Sequence, residues 1–335
     1  MLTEAVATAA ARRALAHYDI GEPAELRLIS LSENGTYLVR HGSAGAAPGT
    51  LVLRVHRPGY QTRTSIHSEL AWMDRLREDA GITTPEVVPT ASGDRVVDLG
   101  EGESARFVVA FTLVDGVTGE EAADRLSMTE LGRITAGMHR HVASWTAPEE
   151  FDRFSWDVEE CLGTAARWGT YADGPGVAPA DLPALGAAAA RVRERLAAYG
   201  RAADRYGLIH ADLRLANLMI DPASALTVID FDDCGYGWFV YDLAAAISWL
   251  EHEPDTAAAV AAWLDGYQQV RPLSAEDLAM IPTFVMLRRL MLTAWLGTHP
   301  DSPPAQEWGV EYGAGTVDLA RAYLDDPAWY RFPLA

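Results

Sequence analysis

The chain contains 335 residues, 47 of them acidic and 27 lysine or arginine, which gives a formal net charge of −20. All 27 of these cations are arginine, since the sequence contains no lysine. The absence of lysine excludes a lysine Schiff base and a phosphate loop of the GxxxxGK[ST] type. The surplus of acid argues against nucleic acid or an anionic membrane as a partner.

The other features of the whole sequence indicate a globular protein of the cytoplasm. Hydrophobic residues make up 49% of the chain and charged residues 22%, which is typical of a folded domain. We expect no membrane span, because no run of about 18 apolar residues occurs. The first residues carry an acid early and an arginine pair late, the reverse of the charge order in a secretory signal. The two cysteines, Cys161 and Cys234, are too few for a disulfide framework.

The first third of the chain is predicted to consist mainly of strands. An alanine and leucine periodicity predicts a helix over residues 2–18, which ends before Gly21 and Pro23. Apolar runs then predict three strands, with an extended loop over 41–49 before the third, and a helix over about 65–79. Two more strands complete this part. The five predicted strands cover residues 25–31, 37–41, 50–55, 94–99 and 106–113.

Beyond Glu120 the pattern changes from strands to helices. A helical apolar stripe follows that residue, and a segment rich in Ala and Arg predicts a helix over residues 183–199. Residues 145–185 are rich in Pro, Gly and Trp and receive no assignment. A β-rich interlude over residues 208–231 interrupts the helices, which then continue towards the C-terminus.

This change of pattern predicts an α+β fold with two lobes. The N-terminal lobe, residues 1–113, combines a helix with an antiparallel sheet, and the C-terminal lobe, residues 114–335, is mostly helical. A hinge is expected near residues 112–116, with the functional site in the cleft.

One polar segment carries most of the residues that suggest chemistry. It reads His210-x-Asp212-x-x-x-x-Asn217, and an apolar strand then leads to Asp230. A hairpin is predicted between Asn217 and Asp230, so both side chains would meet as oxygen ligands of the kind that Mg²⁺ prefers. Asp212 would face the same place as a base or as a positioner of an attacking hydroxyl. The alternative is that these residues only cap turns around a hairpin.

The pattern resembles the catalytic loop and metal-binding element of protein-kinase-like phosphotransferases. More closely, the sequences HADLRLAN, IDFDD and YDLA resemble the group of aminoglycoside phosphotransferases, choline kinases and type II homoserine kinases. The sequences GWFVYDLA and LVLRVHRPGY resemble the homoserine-kinase-type branch of that group, together with its RdoA-like stress-response kinases. The resemblance implies a protein-kinase-like fold that uses ATP and Mg²⁺.

The same resemblance assigns roles within the polar segment. It implies that Asp212, Asn217 and Asp230 are the catalytic residues, with Asn217 and Asp230 as the metal ligands. Asp242 of the YDLA sequence would brace the catalytic loop by hydrogen bonding. His210 would support the backbone of that loop.

Two neighbouring positions stay open. Arg214 stands where this group often has histidine, so it is open to the γ-phosphate or to the acceptor. Asp232 is open to metal ligation or to a supporting role. The resemblance favours Asp230 over Asp232 as the main ligand.

The resemblance also assigns nucleotide-binding residues in the N-terminal part. The turn that contains Ser32, Asn34 and Gly35 lies between two strands and would cover the phosphates. Backbone groups of Thr112 and Val114, at the hinge, would meet the edge of the adenine.

A kinase also needs a strand cation for the α- and β-phosphates and a helix carboxylate to hold it. Arg54 and Glu69 occupy these places, with arginine where most kinases have lysine. The charge distribution supports a phosphate site, because the 35 residues between Glu33 and Glu69 contain no acid. An even spread of acids would place about five there. The same window contains Arg40, Arg54, Arg57 and Arg63.

These observations predict an enzyme that transfers the γ-phosphoryl group of ATP to the hydroxyl of a small molecule. The acceptor stays open between an amino acid, an amino alcohol, a sugar and an antibiotic. The alternatives are a stress-response-type Ser/Thr protein kinase and a non-catalytic pseudokinase that binds a partner. We expect a monomer or a homodimer.

Overall fold

A computed structural model describes residues 3–31, 34–42, 49–100, 106–122 and 126–326. The chain folds into two compact units, and each unit is built from several segments of the sequence. The predicted division into residues 1–113 and 114–335 remains a prediction. The first unit comprises Met1–Gly116, Ala147–Arg153 and Met219–Asp232, and the second comprises Val117–Thr146, Phe154–Leu218 and Asp233–Ala335.

An antiparallel sheet forms most of the first unit. Its strands follow the order β1-β2-β3-β6-β4, and β5 pairs with β6. Along the central strands, Tyr37 and Val39, and then Leu51, Leu53 and Val55, recur at every second position. They belong to one buried apolar cluster, as expected where one face of a sheet packs on a core. The strands are β1 (Gly21–Leu31), β2 (Gly35–Gly42), β3 (Gly49–Val55), β4 (Val87–Val88), β5 (Val97–Asp98) and β6 (Phe107–Thr112).

A small-residue helix covers one face of this sheet. Helix α1 (Glu4–Leu15) begins after Thr3, whose hydroxyl accepts a hydrogen bond from the backbone nitrogen of Val6. Its buried side chains are all alanine, so the helix lies close to the strands. At Gly35, a β-carbon would lie 3.0 Å from that of Ala7, so a side chain at this position would require α1 to shift slightly away from the sheet.

The predicted strand over residues 94–99 is wrong in extent. Only Val97–Asp98 is strand, and the preceding residues form a tight turn. The hydroxyl of Thr90 accepts a hydrogen bond from the backbone nitrogen of Asp94 at 2.9 Å, and Gly93 has φ of +89°. These local bonds compete with a strand ladder, so the strand begins later. The short strand β4 was not predicted.

The remaining elements of the first unit are a helix and a hairpin. Helix α2 (Arg63–Ala80) begins after Thr62 and ends at Gly81, which has φ of +65°. The predicted hairpin after the catalytic loop is confirmed, since β9 (Leu218–Ile220) pairs with β10 (Leu226–Val228).

Helices form most of the second unit, as predicted. Strands β8 and β11 pair antiparallel, with Ile209 opposite Gly235. The unassigned segment 145–185 contains one short α-helix, and Trp156 and Trp168 are buried in the core. The elements are β7 (Val117–Thr118), α3 (Met128–Ser144), α4 (Val158–Leu162), α5 (Leu182–Tyr199), β8 (Tyr206–Ile209), β11 (Gly235–Trp238), α6 (Tyr241–Ala246), α7 (Thr256–Gln268), α8 (Ala275–Thr298) and α9 (Pro303–Asp325).

Helix α8 is long and apolar enough to cross a membrane by length and composition. However, 83% of its most apolar 18-residue window is buried inside the protein. It also carries two buried arginines, Arg288 and Arg289. These properties are those of a core helix, against which α5, α6 and α9 pack.

Candidate active site

The catalytic loop follows β8 in the second unit, and a buried aspartate holds its backbone. Oδ1 of Asp242 accepts a hydrogen bond from the backbone nitrogen of Ala211 at 2.8 Å, and Oδ2 accepts one from that of His210 at 3.2 Å. Ala211 has φ of +67°, a conformation that non-glycine residues rarely adopt. The brace expected from Asp242 is therefore confirmed, and it holds a strained turn directly before Asp212.

His210 also supports the loop as expected. Its Nδ1 lies 3.4 Å from the backbone nitrogen of Asp212 and accepts a hydrogen bond from it. On the far side of Asp242, Nε2 of His139 lies 3.0 Å from Oδ2. The loop thus rests on two buried histidines and one buried aspartate.

The side chain of Asn217 is bonded to Asp212. Its Nδ2 donates to the backbone oxygen of Asp212 at 2.8 Å and to Oδ2 of the same residue at 3.0 Å. Both amide hydrogens are therefore used, and Oδ1 is the atom of Asn217 left to face a cation. Such an oxygen fits a hard divalent metal ion.

Two arginines lie beside the carboxylate of Asp212. Nη2 of Arg288 donates to Oδ1 at 2.5 Å, and Nε of Arg214 lies 3.6 Å from the same oxygen. Arg214 also lies close to an acid, with its Nη1 3.5 Å from Oε1 of Glu120. Arg214 thus lies between two carboxylates, that of Asp212 and that of Glu120.

Sequence reasoning missed Arg288. It lies on α8, 76 residues after Asp212, within an apolar helix that carries no motif. Burial opposes its charge, but Tyr241 and Asp212 raise its pKa well above the usual range. The only signal available in the sequence was the pair of arginines inside an otherwise apolar helix.

In the first unit, Arg54 and Glu69 form the predicted ion pair. Nη2 of Arg54, on β3, lies 2.6 Å from Oε1 of Glu69, on α2, and both side chains are buried. Burial opposes the charge of Arg54, but Glu69, Asp232 and Asp230 together raise its pKa. Nε of Arg54 and Oε2 of Glu69 are buried without a hydrogen-bond partner among the described residues. Arg54 is thus a cation that Glu69 holds in place, and its Nε is a donor that no described residue uses.

Asp230 has a backbone conformation that is rare for a non-glycine residue. Its φ is +63°, and its side chain is exposed although both following residues are buried. A strained, exposed carboxylate beside a buried one suits a ligand for a cation from solution. No cluster of three or more His, Cys, Asp or Glu residues forms a metal site in the part of the chain that the structure describes. A magnesium site with few protein ligands does not require such a cluster.

Asp232 is a buried anchor. Its Oδ2 accepts a hydrogen bond from Nδ2 of Asn34 at 2.9 Å, and its Oδ1 lies 3.5 Å from Nδ1 of His56. Burial would raise the pKa of Asp232, but the contact with His56 and the charge of Arg54 lower it below its usual range. Of the two roles left open for Asp232, its contacts are those of a supporting residue.

The side chain of Asn34 is engaged within the first unit. Its Oδ1 accepts a hydrogen bond from the backbone nitrogen of Arg57 at 3.0 Å, while its Nδ2 donates to Asp232. Asn34 therefore ties the turn after β1 to two other segments, a role that the sequence did not indicate. Ser32, predicted for the same turn, lies outside the described residues.

At the end of β6, part of the backbone is already hydrogen-bonded within the protein. The backbone nitrogen of Thr112 donates to the carbonyl oxygen of Glu86 at 2.9 Å, so only its carbonyl is a candidate for a base edge. Val114 is half-buried. Gly116 has φ of +120°, and a β-carbon there would lie 2.2 Å from the carbonyl oxygen of Ile220.

Two further residues hold the backbone of Asp232, and sequence reasoning missed both. Nη2 of Arg153 and Nε2 of Gln61 donate to its carbonyl oxygen at 2.5 and 2.7 Å. Arg153 also donates to the backbone oxygen of Ser65 at 3.1 Å. No local motif surrounds either residue, because their function depends on contacts far along the chain.

Comparison with known proteins places this arrangement among kinases. Residues 25–276 match the model of the phosphotransferase enzyme family. A solved structure of a microcompartment-associated aminopropanol kinase is 43% identical, with a TM-score of 0.87 over 98% of this chain and 100% of that chain. A homoserine kinase of Gluconobacter oxydans is 28% identical over 306 residues, which are 86% of this chain and 88% of that protein.

A more distant structure shares the fold. It is an amicoumacin kinase in complex with AMP-PNP, Ca²⁺ and Ami. It is 21% identical, with a TM-score of 0.73 over 93% of both chains. The predicted protein-kinase-like α+β fold is thereby confirmed.

Proposed function

The chain belongs to the phosphotransferase enzyme family and is a kinase with an alcohol acceptor, and we propose that this acceptor is a short amino alcohol. The observation that carries the proposal is the 43% identity to an aminopropanol kinase over nearly the full length of both chains. The family match itself supports phosphoryl transfer to the hydroxyl of a small molecule.

We further propose that the donor is ATP and the metal is Mg²⁺. The complex of the related amicoumacin kinase with AMP-PNP and Ca²⁺ supports a nucleotide and a divalent ion. Asp230 and Oδ1 of Asn217 would hold the ion, which would neutralise charge on the phosphates. Arg54, held by Glu69, would bind the α- and β-phosphates as a planar donor.

The turn that contains Ser32, Asn34 and Gly35 would cover the phosphates. Gly35 has no side chain, and the side chain of Asn34 is bonded within the protein. The contribution of this turn to the nucleotide would therefore come from backbone groups. The carbonyl of Thr112 and the backbone of Val114 would bind the adenine edge.

Asp212 would act on the acceptor. Its carboxylate would accept a hydrogen bond from the acceptor hydroxyl and orient the oxygen towards the γ-phosphorus. As the new O–P bond forms, the bond from the γ-phosphorus to the bridging oxygen breaks and ADP leaves. The hydroxyl proton passes to Asp212 late in this step, because the transition state is loose.

A second candidate acceptor is the amino acid homoserine. Several homoserine kinases are relatives, and that of Gluconobacter oxydans matches over most of both chains. The protein-kinase and pseudokinase alternatives have no such support. The cytoplasmic location, the monomeric or homodimeric state and the absence of a nucleic-acid partner stay predictions.

The test is a panel of acceptors assayed by ADP release with Mg-ATP. It includes aminopropanol, ethanolamine, choline, homoserine, threonine and an aminoglycoside, with product confirmed by mass spectrometry. We expect the highest kcat/KM for an amino alcohol and a loss of about 100-fold or more in Asp212→Asn. Preference for homoserine would select the second candidate. Full activity of Asp212→Asn would overturn the assignment of the base, and no transfer to any member would contradict a small-molecule acceptor of these classes.

The matched control is Asp318→Asn. Asp318 is an exposed acid of α9, and its Oδ1 lies 3.4 Å from Nη1 of Arg321 on the same helix. It should leave both kcat and KM unchanged. A loss in this control would show that the assay reports general damage to the protein.

A further inference from the structure

The buried guanidinium of Arg288 touches Asp212 from inside the protein. Nη2 donates to Oδ1 of Asp212 at 2.5 Å, while Nδ2 of Asn217 donates to Oδ2 at 3.0 Å. The two oxygens of the carboxylate are therefore held by different donors, one from a core helix and one from the catalytic loop. This arrangement fixes the plane of the carboxylate as well as its position.

Arg288 is itself immobilised by its other donors. Nε donates to the hydroxyl of Ser248 at 3.0 Å, and Nη1 donates to the hydroxyl of Tyr241 at 3.0 Å. Nη1 also donates to the carbonyl oxygen of Ala211 at 3.3 Å, in the strained turn directly before Asp212. Arg288 thus donates hydrogen bonds both to the backbone of the catalytic loop, at Ala211, and to a side chain of that loop, at Asp212.

The surroundings of Arg288 leave it no alternative position. Its side chain is 2% exposed, and its guanidinium carbon lies 5.1 Å from the ring centroid of Trp168 and 5.8 Å from that of Tyr241. A charge this deeply buried is costly unless it is paired, so its pairing with Asp212 is a strong constraint. Asp212 is 21% exposed, so of the two side chains it is the carboxylate that is accessible to an acceptor from solution.

The next residue on the helix provides a natural comparison. Arg289 is 1% exposed and its Nη1 lies 2.9 Å from Oε2 of Glu251. It also donates to the hydroxyl of Thr316 and the carbonyl oxygen of Tyr312. Burial, charge and pairing to an acid are thus the same at both positions, whereas none of the contacts described for Arg289 is to the catalytic loop.

We propose that Arg288 is the positioning residue that orients Asp212 for the acceptor hydroxyl. Arg289 pairs with a buried acid, Glu251, but does not orient Asp212. This inference rests on the role proposed for Asp212. It does not depend on which small molecule is the acceptor.

The experiment compares Arg288→Met, Arg288→Lys and Arg289→Met in the full chain. Each is assayed with whichever acceptor the wild-type chain phosphorylates fastest, so an error in the amino alcohol assignment does not affect it. In Arg288→Met we expect kcat to fall by about 100-fold, because a small misplacement of a catalytic group has an effect of that size. The KM values for ATP and for the acceptor should stay within about threefold, since Arg288 touches neither.

The other two variants separate orientation from stability. Arg289→Met should lower the melting temperature but keep kcat within about threefold of wild type, because Asp212 keeps its partners. Arg288→Lys should recover part of the lost kcat, since lysine retains the charge but not the planar set of donors. Equal kcat in Arg288→Met and Arg289→Met would overturn the proposal, as would a loss confined to KM.

If Arg288→Met does not fold, Tyr241→Phe tests the orienting role of Arg288 instead. It removes one acceptor of Arg288 without a change in packing, so kcat should fall by about three- to tenfold at constant KM. An unchanged kcat in Tyr241→Phe would count against the proposal. Asp212→Asn is run beside it: if that variant keeps the wild-type kcat, the role of Asp212 has failed, and with it the role of Arg288.

Discussion

Nδ2 of Asn34 donates a hydrogen bond to Oδ2 of Asp232 at 2.9 Å, across 198 positions of the sequence. The bond ties the turn between β1 and β2 to the segment that follows Asp230. In the proposed enzyme, the turn that would cover the phosphates is therefore fixed, within the first unit, to the segment that carries the proposed metal ligand Asp230.

Replacing Asn34 with alanine should weaken nucleotide binding. The change removes the donor to Asp232 and the acceptor for the backbone nitrogen of Arg57, and leaves a buried carboxylate short of one partner. We expect a loss of about 2 kcal/mol in the free energy of unfolding and a several-fold rise in the KM for ATP. Denaturant unfolding and steady-state kinetics measure the two effects.

Gln269→Ala is the matched control for that variant. Nε2 of Gln269 also donates to a carboxylate, that of Asp265 at 3.1 Å, but this pair is exposed. An exposed pair contributes little, so both measurements should match wild type. Equal effects of the two substitutions would show that the bond to Asp232 has no special role.

Replacing Arg54 with lysine should weaken activity without abolishing it. Lysine retains the charge opposite Glu69, but its single ammonium cannot bind the carboxylate and a phosphate in the same planar geometry. We expect a several-fold rise in the KM for ATP and a lower melting temperature, measured by kinetics and by thermal unfolding. Unchanged ATP affinity and rate would mean that Arg54 does not touch the phosphates.

Removal of the divalent ion should stop phosphoryl transfer, and Asp230→Asn should change the metal requirement. The substitution keeps the size of the side chain but removes the charge of an exposed ligand. We expect EDTA to abolish activity and excess Mg²⁺ to restore it in the wild type. In Asp230→Asn, half-maximal activity should require about tenfold or more Mg²⁺. The same Mg²⁺ dependence in both proteins would exclude Asp230 as a ligand.

Acidification should destabilise the second unit through His139. Nε2 of His139 donates to Asp242, whose carboxylate can only accept, so Nδ1 accepts from the hydroxyl of Tyr267 at 2.8 Å. Burial lowers the pKa of His139 below its usual value of 6.5, although Asp242 acts in the opposite direction. As the pH falls through about 6.5, the imidazole of His139 therefore takes up a proton in the unfolded chain, whereas in the folded chain it stays neutral to a lower pH. Stability present above that pH is lost as the pH falls below it.

The measurement is the melting temperature of His139→Gln from pH 7 to about pH 5. Glutamine can replace both hydrogen bonds but does not titrate, so the variant should lose less stability on acidification than the wild type does. His17→Gln, at an exposed position, should retain the wild-type pH dependence. A parallel loss in all three proteins would refute the assignment to His139.

The sequence predicted the parts of this molecule that depend on short segments. Strands β2, β3 and β6 follow from local apolar patterns, and the brace by Asp242 follows from a motif shared with known kinases. Arg54 and Glu69 were found because a kinase requires a cation on a strand and an acid on the next helix. Their spacing of 15 residues keeps the pair within one strand–helix unit.

The parts that were missed depend on contacts between distant segments. Arg288 reaches Asp212 from a helix that looks like ordinary core, and Arg153 reaches the backbone of Asp232 across 79 positions. Nothing local distinguishes a buried arginine that serves a site from one, such as Arg289, that serves only packing. The turn that replaces the predicted strand at 94–99 was missed for another reason, since side-chain hydrogen bonds within five residues outweighed an apolar pattern.

The arginine at position 54 has a practical consequence for detecting the enzyme. Kinase-profiling reagents that deliver an acyl group from a nucleotide phosphate label a nearby lysine amine, and this chain has no such side chain. A proteome survey with such reagents would therefore not label the proposed nucleotide site of this enzyme. A dicarbonyl reagent selective for guanidinium groups, with protection by Mg-ATP as the readout, is the matching chemistry for this enzyme.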